Sequence, residues 1–216
     1  QALVLAVPVS YTALYAAAAH AFWKAPYPWA GLAMPWRDHK TRVLALVVVN
    51  TLIIGPVMGL VFLAFVAVPW NGILAAVPAA LGAAVLYDAL FWLAHRACHV
   101  DLRLFKHVHS VHHRWASTTN PICAFYTHPL EMALVNVAPF LLSLWICGVD
   151  SYTASVMMIV ATLMTQRTHG DPDGTHGQHH SHMTCQYGAL GLMDRWMGTA
   201  CSPTRCGLKK PPEDKV

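Results

Sequence analysis

The hydrophobic residues of this chain fall into long blocks that are separated by short polar segments. A helix needs about 20 mostly apolar residues to cross the hydrocarbon core of a bilayer. The turns Asn71-Gly72 and Gly148–Ser151 are so short that the blocks on either side of each must form an antiparallel hairpin. The pattern therefore predicts an all-α integral membrane bundle of about four to five transmembrane helices. The five blocks are Ala2–Trp23, Val43–Trp70, Ile73–Ala94, Leu130–Cys147 and the shorter Tyr152–Gln166.

Charge is scarce and unevenly placed. Only 11% of the residues are charged, against roughly 25% in soluble domains. Such a composition excludes a disordered chain, and a net charge of +4 provides no basic stripe for nucleic acid. If the five blocks alternate in direction, all 14 Lys and Arg residues lie on one side of the membrane. Basic loops face the cytoplasm, so that side is predicted to be cytoplasmic.

The length of the chain fits one membrane-embedded domain, predicted over residues 1–200, with a polar tail over 201–216. Pro56, between Gly55 and Gly59, is the expected kink site of the second block. The six cysteines show no paired spacing and are expected to be free thiols on a reducing cytoplasmic side. They are Cys98, Cys123, Cys147, Cys185, Cys201 and Cys206.

The chain has 14 histidines, and their spacing indicates metal binding. Residues four apart share a helix face, so the two imidazoles of His95-x3-His99 can point at one metal ion. The spacing H-x-x-H-H occurs twice, and its adjacent pair can reach two ions. His128 opens the fourth block and His169 ends the fifth, so both are expected at the same depth as the other histidines. The candidate ligands are His95, His99, His109, His112, His113, His128, His169, His176, His179 and His180.

These ten imidazoles exceed what one ion can use, since a tetrahedral zinc takes four ligands. Two metal ions are therefore predicted, and imidazole suits zinc, copper, iron and nickel. Carboxylates are too few to be the main ligands, but four of them are placed to orient imidazoles: Asp88, Glu131, Asp171 and Asp194. Four aromatic residues either line a substrate cavity or, as we favour, form an interfacial belt: Trp92, Trp115, Phe125 and Tyr126.

The motifs occur in a recognisable order over about residues 85–200. They are Asp88-Ala-Leu-Phe-Trp-Leu-Ala-His95-Arg-Ala-Cys-His99, Phe105–His113, Tyr126-Thr-His128-Pro-Leu-Glu131, His169-Gly-Asp, His176–His182 and Asp194–Thr199. Together they resemble the fatty acid hydroxylase / sterol desaturase superfamily. The His-Pro-Leu-Glu element is similar to sterol C-4 methyl oxidases, and the His-His-Ser-His stretch that ends at His182 is similar to sterol 25-hydroxylases.

The resemblance implies a membrane-embedded di-iron site in which the ten histidines bind two iron ions, with His182 as a further residue beside the site. It implies O2 as co-substrate, and two electrons from a donor such as cytochrome b5 or a ferredoxin with its reductase. The expected activity is a monooxygenase-type oxidoreductase that hydroxylates or desaturates a lipid drawn from the bilayer. The membrane is expected to be the endoplasmic reticulum in a eukaryote or the inner membrane in a bacterium. The chain is short for the superfamily and begins without Met, so an N-terminal segment is expected to be missing.

A second interpretation is a metal- or haem-binding membrane protein that acts in transport or electron transfer without oxygenase activity. A bis-histidine haem would need single facing histidines on different helices, which H-x-x-H-H doublets do not require. A zinc carrier would place its ligands near the middle of the membrane, whereas these histidines cluster at helix ends. The sequence thus favours the oxygenase but does not distinguish hydroxylation from desaturation or sterol from fatty-acyl substrates.

Overall fold

The structure is a computed structural model that describes residue 42 and residues 45–65, 68–115, 121–171 and 174–202. These residues form helices and turns and contain no strand, which confirms the predicted all-α fold. The first predicted span, Ala2–Trp23, lies outside them, as do His20, His39 and most of the 201–216 tail. The domain boundary at residue 200 stays a prediction.

Seven helices are numbered over the described part of the chain, and two 3₁₀ segments, His109–Trp115 and Pro121–Phe125, lie between α3 and α4. Helix α1 joins a π-helical segment, Val49–Ile54, to an α-helical one, Gly55–Phe65. Helix α4 runs from Pro129 to Ile146 and is also π-helical in its middle. The others are α2 (Ile73–Val100), α3 (Leu102–His107), α5 (Ser151–His169), α6 (Thr175–His182) and α7 (Leu192–Trp196).

Three helices in the described ranges are long and apolar enough to cross a membrane: Ala45–Ala64, Ile73–Val100 and Pro129–Ile146. They coincide with the second, third and fourth predicted spans, and the chain is an integral membrane protein. Helix α5 forms where the fifth span is predicted and has 19 residues. It is not among the three, because Ser, Thr and Gln side chains interrupt its apolar surface. The count of five spans therefore stays a prediction.

The two predicted hairpins are confirmed, and their turns meet at one end of the bundle. Gly72 and Gly148 take positive φ values of 95° and 61°, which other residues rarely adopt. Asp150 begins α5 by accepting hydrogen bonds from the backbone N–H groups of Tyr152 and Thr153, each at 3.0 Å. The N–H of Ser151 donates to the carbonyl of Val68, which ties the second turn to the first. The histidine-bearing ends of α2, α4 and α5 therefore share the opposite end.

The core lies at the turn end, and the outer surface is apolar. Buried residues from α1, α2, α4 and α5 form one hydrophobic cluster: Phe62, Leu63, Ala83, Leu144, Val149 and Ala154. Outside it, α2 exposes large apolar side chains at helical spacing, among them Leu74 (90% exposed), Leu81 and Val85. A soluble protein rarely exposes such a continuous apolar surface, so this face fits the lipid of a bilayer.

A π-helical segment lies just before Pro56, the predicted kink site, and the kink itself stays a prediction. Val49–Ile54 form the π-helix, and regular α-helix resumes at Gly55. Helix α4 repeats the arrangement, since its π-helical residues Met132–Val137 directly precede the turn that contains Pro139. Proline has no N–H to donate to the preceding turn, and widening that turn is one way to accommodate the loss.

Candidate metal centre

Nine of the ten predicted histidines gather at the end of the bundle opposite the turns, in two groups. In each group one ring nitrogen per histidine lies within 4.8 Å of the others. The first cluster is His95, His99, His109, His113 and His179, and the second cluster is His112, His169, His176 and His180. Among the described residues, these two clusters are the groups that could each hold a metal ion.

Local helix geometry divides the histidines between the clusters. His95 and His99 are four residues apart on α2, so they share a face and enter the first cluster together. His176 and His180 have the same spacing on α6 and enter the second cluster, whereas His179 between them enters the first. In the 3₁₀ segment His109–Trp115, the adjacent residues His112 and His113 likewise go to different clusters. Each H-x-x-H-H motif thus supplies both clusters.

The Nδ1 atoms of four cluster histidines are fixed by hydrogen bonds. His95 donates to the carbonyl of Tyr187 at 2.8 Å, His179 to the carbonyl of Cys185 at 2.7 Å, and His169 to the carbonyl of Thr165 at 2.7 Å. The Nδ1 of His109 lies 2.7 Å from Oε1 of the Glu131 carboxylate. An oxygen of this kind only accepts, so the proton sits on Nδ1 and the lone pair sits on Nε2.

The Nε2 atoms face one another across both clusters. In the first, His109 Nε2 lies 2.8 Å from His99 Nε2, and His179 Nε2 lies 3.1 Å from His113 Nε2. In the second, His169 Nε2 lies 3.0 Å from His176 Nε2. The Nε2 atom of His95 is buried without a hydrogen-bond partner. Lone pairs that converge in this way are stabilised by a cation among them, so the donor set fits a metal ion.

Burial keeps the imidazoles of the clusters neutral. The pKa values of His113, His179 and His180 are held well below their ordinary range, first by burial and then by the neighbouring imidazoles. At neutral pH these rings carry no charge and present lone pairs rather than protons. Neutral imidazole is the form of histidine that binds metals.

Of the carboxylates predicted to orient imidazoles, Glu131 does so directly through His109. Asp88 and Asp194 are fully buried, but they bind backbone N–H groups instead of rings. Asp88 accepts from Leu190 and Met193 at 2.6 and 2.8 Å. Asp194 accepts from the N–H groups of Tyr187 and Gly188 at 2.8 and 2.7 Å. These two residues fix the loop whose Tyr187 carbonyl holds His95.

Asp171 differs from the expectation. Its side chain is exposed and accepts from the N–H of Gly174 at 3.1 Å, which closes the turn before α6. The prediction that it orients an imidazole is not supported by a contact in the structure. A carboxylate beside the His169-Gly-Asp motif is equally suited to a turn, and the sequence does not separate the two uses.

Gly188 lies between the two buried carboxylates, and this position tests their role. A Cβ atom there would lie 2.8 Å from Asp88 Oδ1 and 2.9 Å from Asp194 Oδ2. Both carboxylates are held by backbone N–H groups, so neither can move away cheaply. We expect Gly188→Ala to destabilise the fold by about 1–3 kcal/mol, measured by thermal unfolding in detergent. Gly82→Ala is the control, because its Cβ would make an ordinary 3.5 Å contact with Cys147 Sγ. Equal stability of the two variants would contradict this role.

Three other histidines lie outside both clusters. His128, the tenth predicted ligand, begins α4, and its Nδ1 accepts from the N–H of Leu130 at 3.2 Å. The structure does not bring it to a cluster, because the residue serves as the helix N-cap. His182 is half-buried at the end of α6, and His107 is exposed at the end of α3. Neither His182 nor His107 belongs to the first or the second cluster.

The expectation of free thiols is wrong for two cysteines. Cys185 and Cys201 form a disulfide that joins the loop after α6 to the segment after α7, with their Cα atoms 5.0 Å apart. The carbonyl of Cys185 is the one that holds His179. Among the cysteines whose side chains are described, Cys98 and Cys147 are free. The positions of the cysteines in the sequence did not predict this disulfide, because the two loops approach each other only once the helices pack.

A cavity of about 330 Å³ opens onto both clusters. Histidines of each cluster form one end of this histidine-lined cavity: His95 and His109 from the first, and His112, His169 and His176 from the second. Its walls are mostly apolar and come from α2, α4 and α5. They include Tyr87, Phe91, Val135, Phe140, Val160 and Met164. A pocket with apolar walls and polar groups at one end is the usual form of a ligand site.

The aromatic belt favoured from the sequence is wrong for three of its four residues. Trp92, Phe125 and Tyr126 are buried inside the protein, each less than 6% exposed. Trp92 donates from Nε1 to Thr199 Oγ1 at 3.0 Å, which anchors the segment after α7 to α2. The Arg96 guanidinium lies over the Trp92 indole, with its Cζ atom 4.9 Å from the ring centroid. The side chain of Trp115 lies outside the described residues.

Residues 80–199 match the fatty acid hydroxylase family. The chain belongs to this family. The match covers more than half of the chain and includes all nine clustered histidines, and it confirms the resemblance found in the motifs. No solved structure matches the chain.

Several curated proteins are similar to the same region. Fatty acid hydroxylase domain-containing protein 2 of Homo sapiens is 27% identical over 123 residues, which cover 53% of this chain and 36% of that protein. Very-long-chain aldehyde decarbonylase GL1-11 of Oryza sativa is 35% identical over 85 residues, which cover 39% of this chain and 31% of that protein. Sphinganine C4-monooxygenase 2 of Arabidopsis thaliana is 33% identical over 87 residues, which cover 40% of this chain and 33% of that protein. The matched regions span about a third of the length of these relatives.

Proposed function

We propose that the protein is an O2-dependent di-iron oxidoreductase that hydroxylates or desaturates an unactivated C–H bond of a membrane lipid. The observation that carries the proposal is the convergence of nine imidazoles on two points at the end of an apolar cavity. The similarity to lipid hydroxylases and aldehyde decarbonylases points to the same class of substrate.

The donor set fits iron at both clusters. Every candidate ligand is an imidazole, a ligand type that iron accepts. The first cluster would hold one ion with up to five imidazole nitrogens, and the second cluster would hold another with up to four. When bound, the iron pair supplies the oxidant that takes hydrogen from the substrate carbon.

The residues of the chain would bind the lipid, orient the histidine rings and exclude water. The Nδ1 partners are the carbonyls of Tyr187, Cys185 and Thr165 and the carboxylate of Glu131, and they fix four rings so that each Nε2 is free to bind a metal ion. The apolar walls of the histidine-lined cavity hold the reacting carbon of a lipid beside both clusters and limit access of water. Exclusion of water confines the oxidant to the intended C–H bond.

The overall reaction needs an electron donor. Hydroxylation of one C–H bond uses O2, two electrons and two protons, and yields one hydroxyl group and one water. We propose that cytochrome b5, or a ferredoxin with its reductase, supplies the electrons at the histidine end of the bundle. The exposed side chains of Arg103, Lys106 and Arg114 give that end a positive surface for an acidic donor. We propose from the positions of the basic loops that this end faces the cytoplasm, at the endoplasmic reticulum of a eukaryote or the inner membrane of a bacterium.

The test is turnover by the purified protein in lipid vesicles, loaded with ferrous iron and supplied with a reduced donor and ¹⁸O2. A lipid product that carries one ¹⁸O atom indicates hydroxylation, and a product that has lost two hydrogens indicates desaturation. His113→Ala is the matched inactive control. Absence of any iron- and O2-dependent lipid product, or a haem absorption band in the purified protein, would exclude the proposed function.

A further inference from the structure

Residues 185–188 form a short loop beside the first cluster, which we call the carbonyl loop. The carbonyl of Cys185 accepts from His179 Nδ1 at 2.7 Å, and the carbonyl of Tyr187 accepts from His95 Nδ1 at 2.8 Å. The two rings come from different helices, α6 and α2, and their centroids lie 4.5 Å apart. One short loop therefore sets the orientation of two of the five imidazoles in the first cluster.

The residue between these two carbonyls, Gln186, has a left-handed backbone conformation. Its φ is 58°, in a region where the Cβ atom of an L-residue crowds its own backbone. Such a conformation persists only where the surrounding structure holds it, and residues of this kind concentrate at functional sites. The chain bends at Gln186, so the bend decides where the carbonyls before and after it point.

Met183 has nearly the same φ but an ordinary explanation. Among the described residues, Met183 and Gln186 are the non-glycine residues with positive φ, at 59° and 58°. Met183 directly follows α6, and its N–H donates to the carbonyl of His179 where the helix ends. A left-handed residue at this point is a common way for a helix to end. Gln186 lies at no helix end, so its conformation needs a different explanation.

Helix α7 and the segment after it hold the carbonyl loop in this conformation. The N–H of Gln186 donates to the carbonyl of Thr199 at 2.9 Å. On one side of it Cys185 is held by its disulfide, and on the other the N–H of Tyr187 donates to Asp194 Oδ1 at 2.8 Å. Three consecutive residues are thus each tied to the same part of the chain, which fixes the directions of their peptide groups.

Burial makes the two carbonyl contacts hard to replace. Cys185 and His179 are fully buried, and His95 is 2% exposed. If either carbonyl turned away, water would have little access to take its place, and the ring would lose the group that fixes its orientation and its proton. Groups that orient metal-binding histidines in this way are typically worth about 10–100-fold in metal affinity.

We propose that Gln186 is a positioning residue for the first cluster, because its left-handed conformation turns the carbonyl loop so that the flanking carbonyls reach His179 and His95. The inference rests on the metal binding in the proposed function and is independent of the substrate. The requirement at this position is a backbone conformation rather than an amide side chain. Glycine and asparagine adopt positive φ readily, whereas β-branched residues strongly disfavour it.

The experiment titrates the purified, metal-free full chain in detergent with Co²⁺, whose visible absorption bands report the nitrogen ligands around it. The wild-type protein is expected to bind two Co²⁺ ions. We expect Gln186→Val to weaken one of the two sites by about 10–100-fold and to change its absorption spectrum. The other site should stay as in the wild type, because the carbonyl that holds His169 belongs to Thr165 on α5.

Rescue by permissive residues separates the backbone requirement from the side chain. Gln186→Gly and Gln186→Asn are expected to keep both Co²⁺ sites with the wild-type affinity and spectrum. Loss of a site in these two variants would overturn the inference, since it would assign the role to the glutamine amide. Gln186→Val with two wild-type sites would overturn it as well. Gln186→Thr, which is also β-branched, takes the place of the valine variant if that protein is not recovered folded.

Gly148→Val is the matched control for backbone strain. Gly148 has a φ of 61°, and a Cβ atom there would meet nothing within 4 Å. It lies in the turn at the opposite end of the bundle, so valine imposes the same strain far from the clusters. Thermal unfolding is expected to show both valine variants destabilised, but only Gln186→Val should lose a Co²⁺ site. Equal loss of Co²⁺ in both variants would reduce the role of Gln186 to general stability and overturn the inference.

The same titration distinguishes failure of this inference from failure of the proposed function. A wild-type protein that binds two Co²⁺ ions but oxidises no lipid when loaded with iron would exclude the oxygenase, and the Gln186 variants would still decide the inference. An active oxygenase whose Gln186→Val variant keeps both sites would overturn the inference alone. A folded wild-type protein that binds neither Co²⁺ nor iron would overturn both.

Discussion

Replacing His179 with alanine is expected to abolish lipid oxidation and to remove metal from the first cluster. The side chain is fully buried, and its Nε2 lies 3.1 Å from that of His113. It is the member of the first cluster that comes from α6, so its loss detaches that helix from the cluster. Loss of a residue that merely orients a ligand typically costs 10–100-fold. We therefore expect turnover to fall by more than about 100-fold, measured together with iron content.

The control for this variant is His107→Ala. His107 is exposed and lies outside both clusters, so its replacement is expected to leave iron content and turnover at the wild-type level. Membrane insertion of both variants is checked by their yield and elution in detergent. A His179→Ala protein that inserts and keeps both its iron and its activity would remove His179 from the metal centre.

Replacing Glu131 with alanine is expected to give the second-largest effect. Glu131 is 2% exposed and lies 2.7 Å from His109 Nδ1 through Oε1. Without the carboxylate, the buried ring loses the group that fixes its orientation and its proton. We expect iron affinity to fall by about 10–100-fold, measured by competition with a chelator. Glu131→Gln keeps an oxygen that can accept from Nδ1 and is expected to recover part of the affinity.

Asp171→Ala is the matched carboxylate control. Asp171 also follows a histidine motif, but it is exposed and bonds to the backbone of Gly174. Its loss is expected to change iron affinity by less than about threefold. If Asp171→Ala and Glu131→Ala lowered the affinity equally, the contact between Glu131 and His109 would not be what sets it.

Much of the candidate metal centre follows from helix periodicity and could be predicted. The i, i+4 pair His95 and His99 reaches one cluster because both residues lie on one face of α2. The adjacent pairs His112–His113 and His179–His180 divide between the clusters because neighbouring residues point in different directions on a helical turn. Hydropathy alone located three of the predicted spans, since their length and composition are set by the bilayer.

What the sequence did not reveal depends on backbone groups and on long-range packing. The carbonyls of Tyr187, Cys185 and Thr165 orient clustered histidines, but any residue type supplies a carbonyl, so no side-chain pattern marks them. Asp88 acts on a loop about a hundred positions later, which local spacing cannot show. His128 was predicted as a ligand from its depth at the start of a span, but it caps the helix, and a single histidine before Pro129 can serve either purpose.

The most direct test of the account is the metal content of the intact protein. The protein is purified in detergent after expression with added iron, and metals are counted per chain by mass spectrometry. Two separate clusters of buried, neutral imidazoles predict close to two iron ions per chain and no haem absorption band. A content of one ion or fewer in a folded, iron-supplied protein, or a haem band, would contradict the assignment of two metal sites.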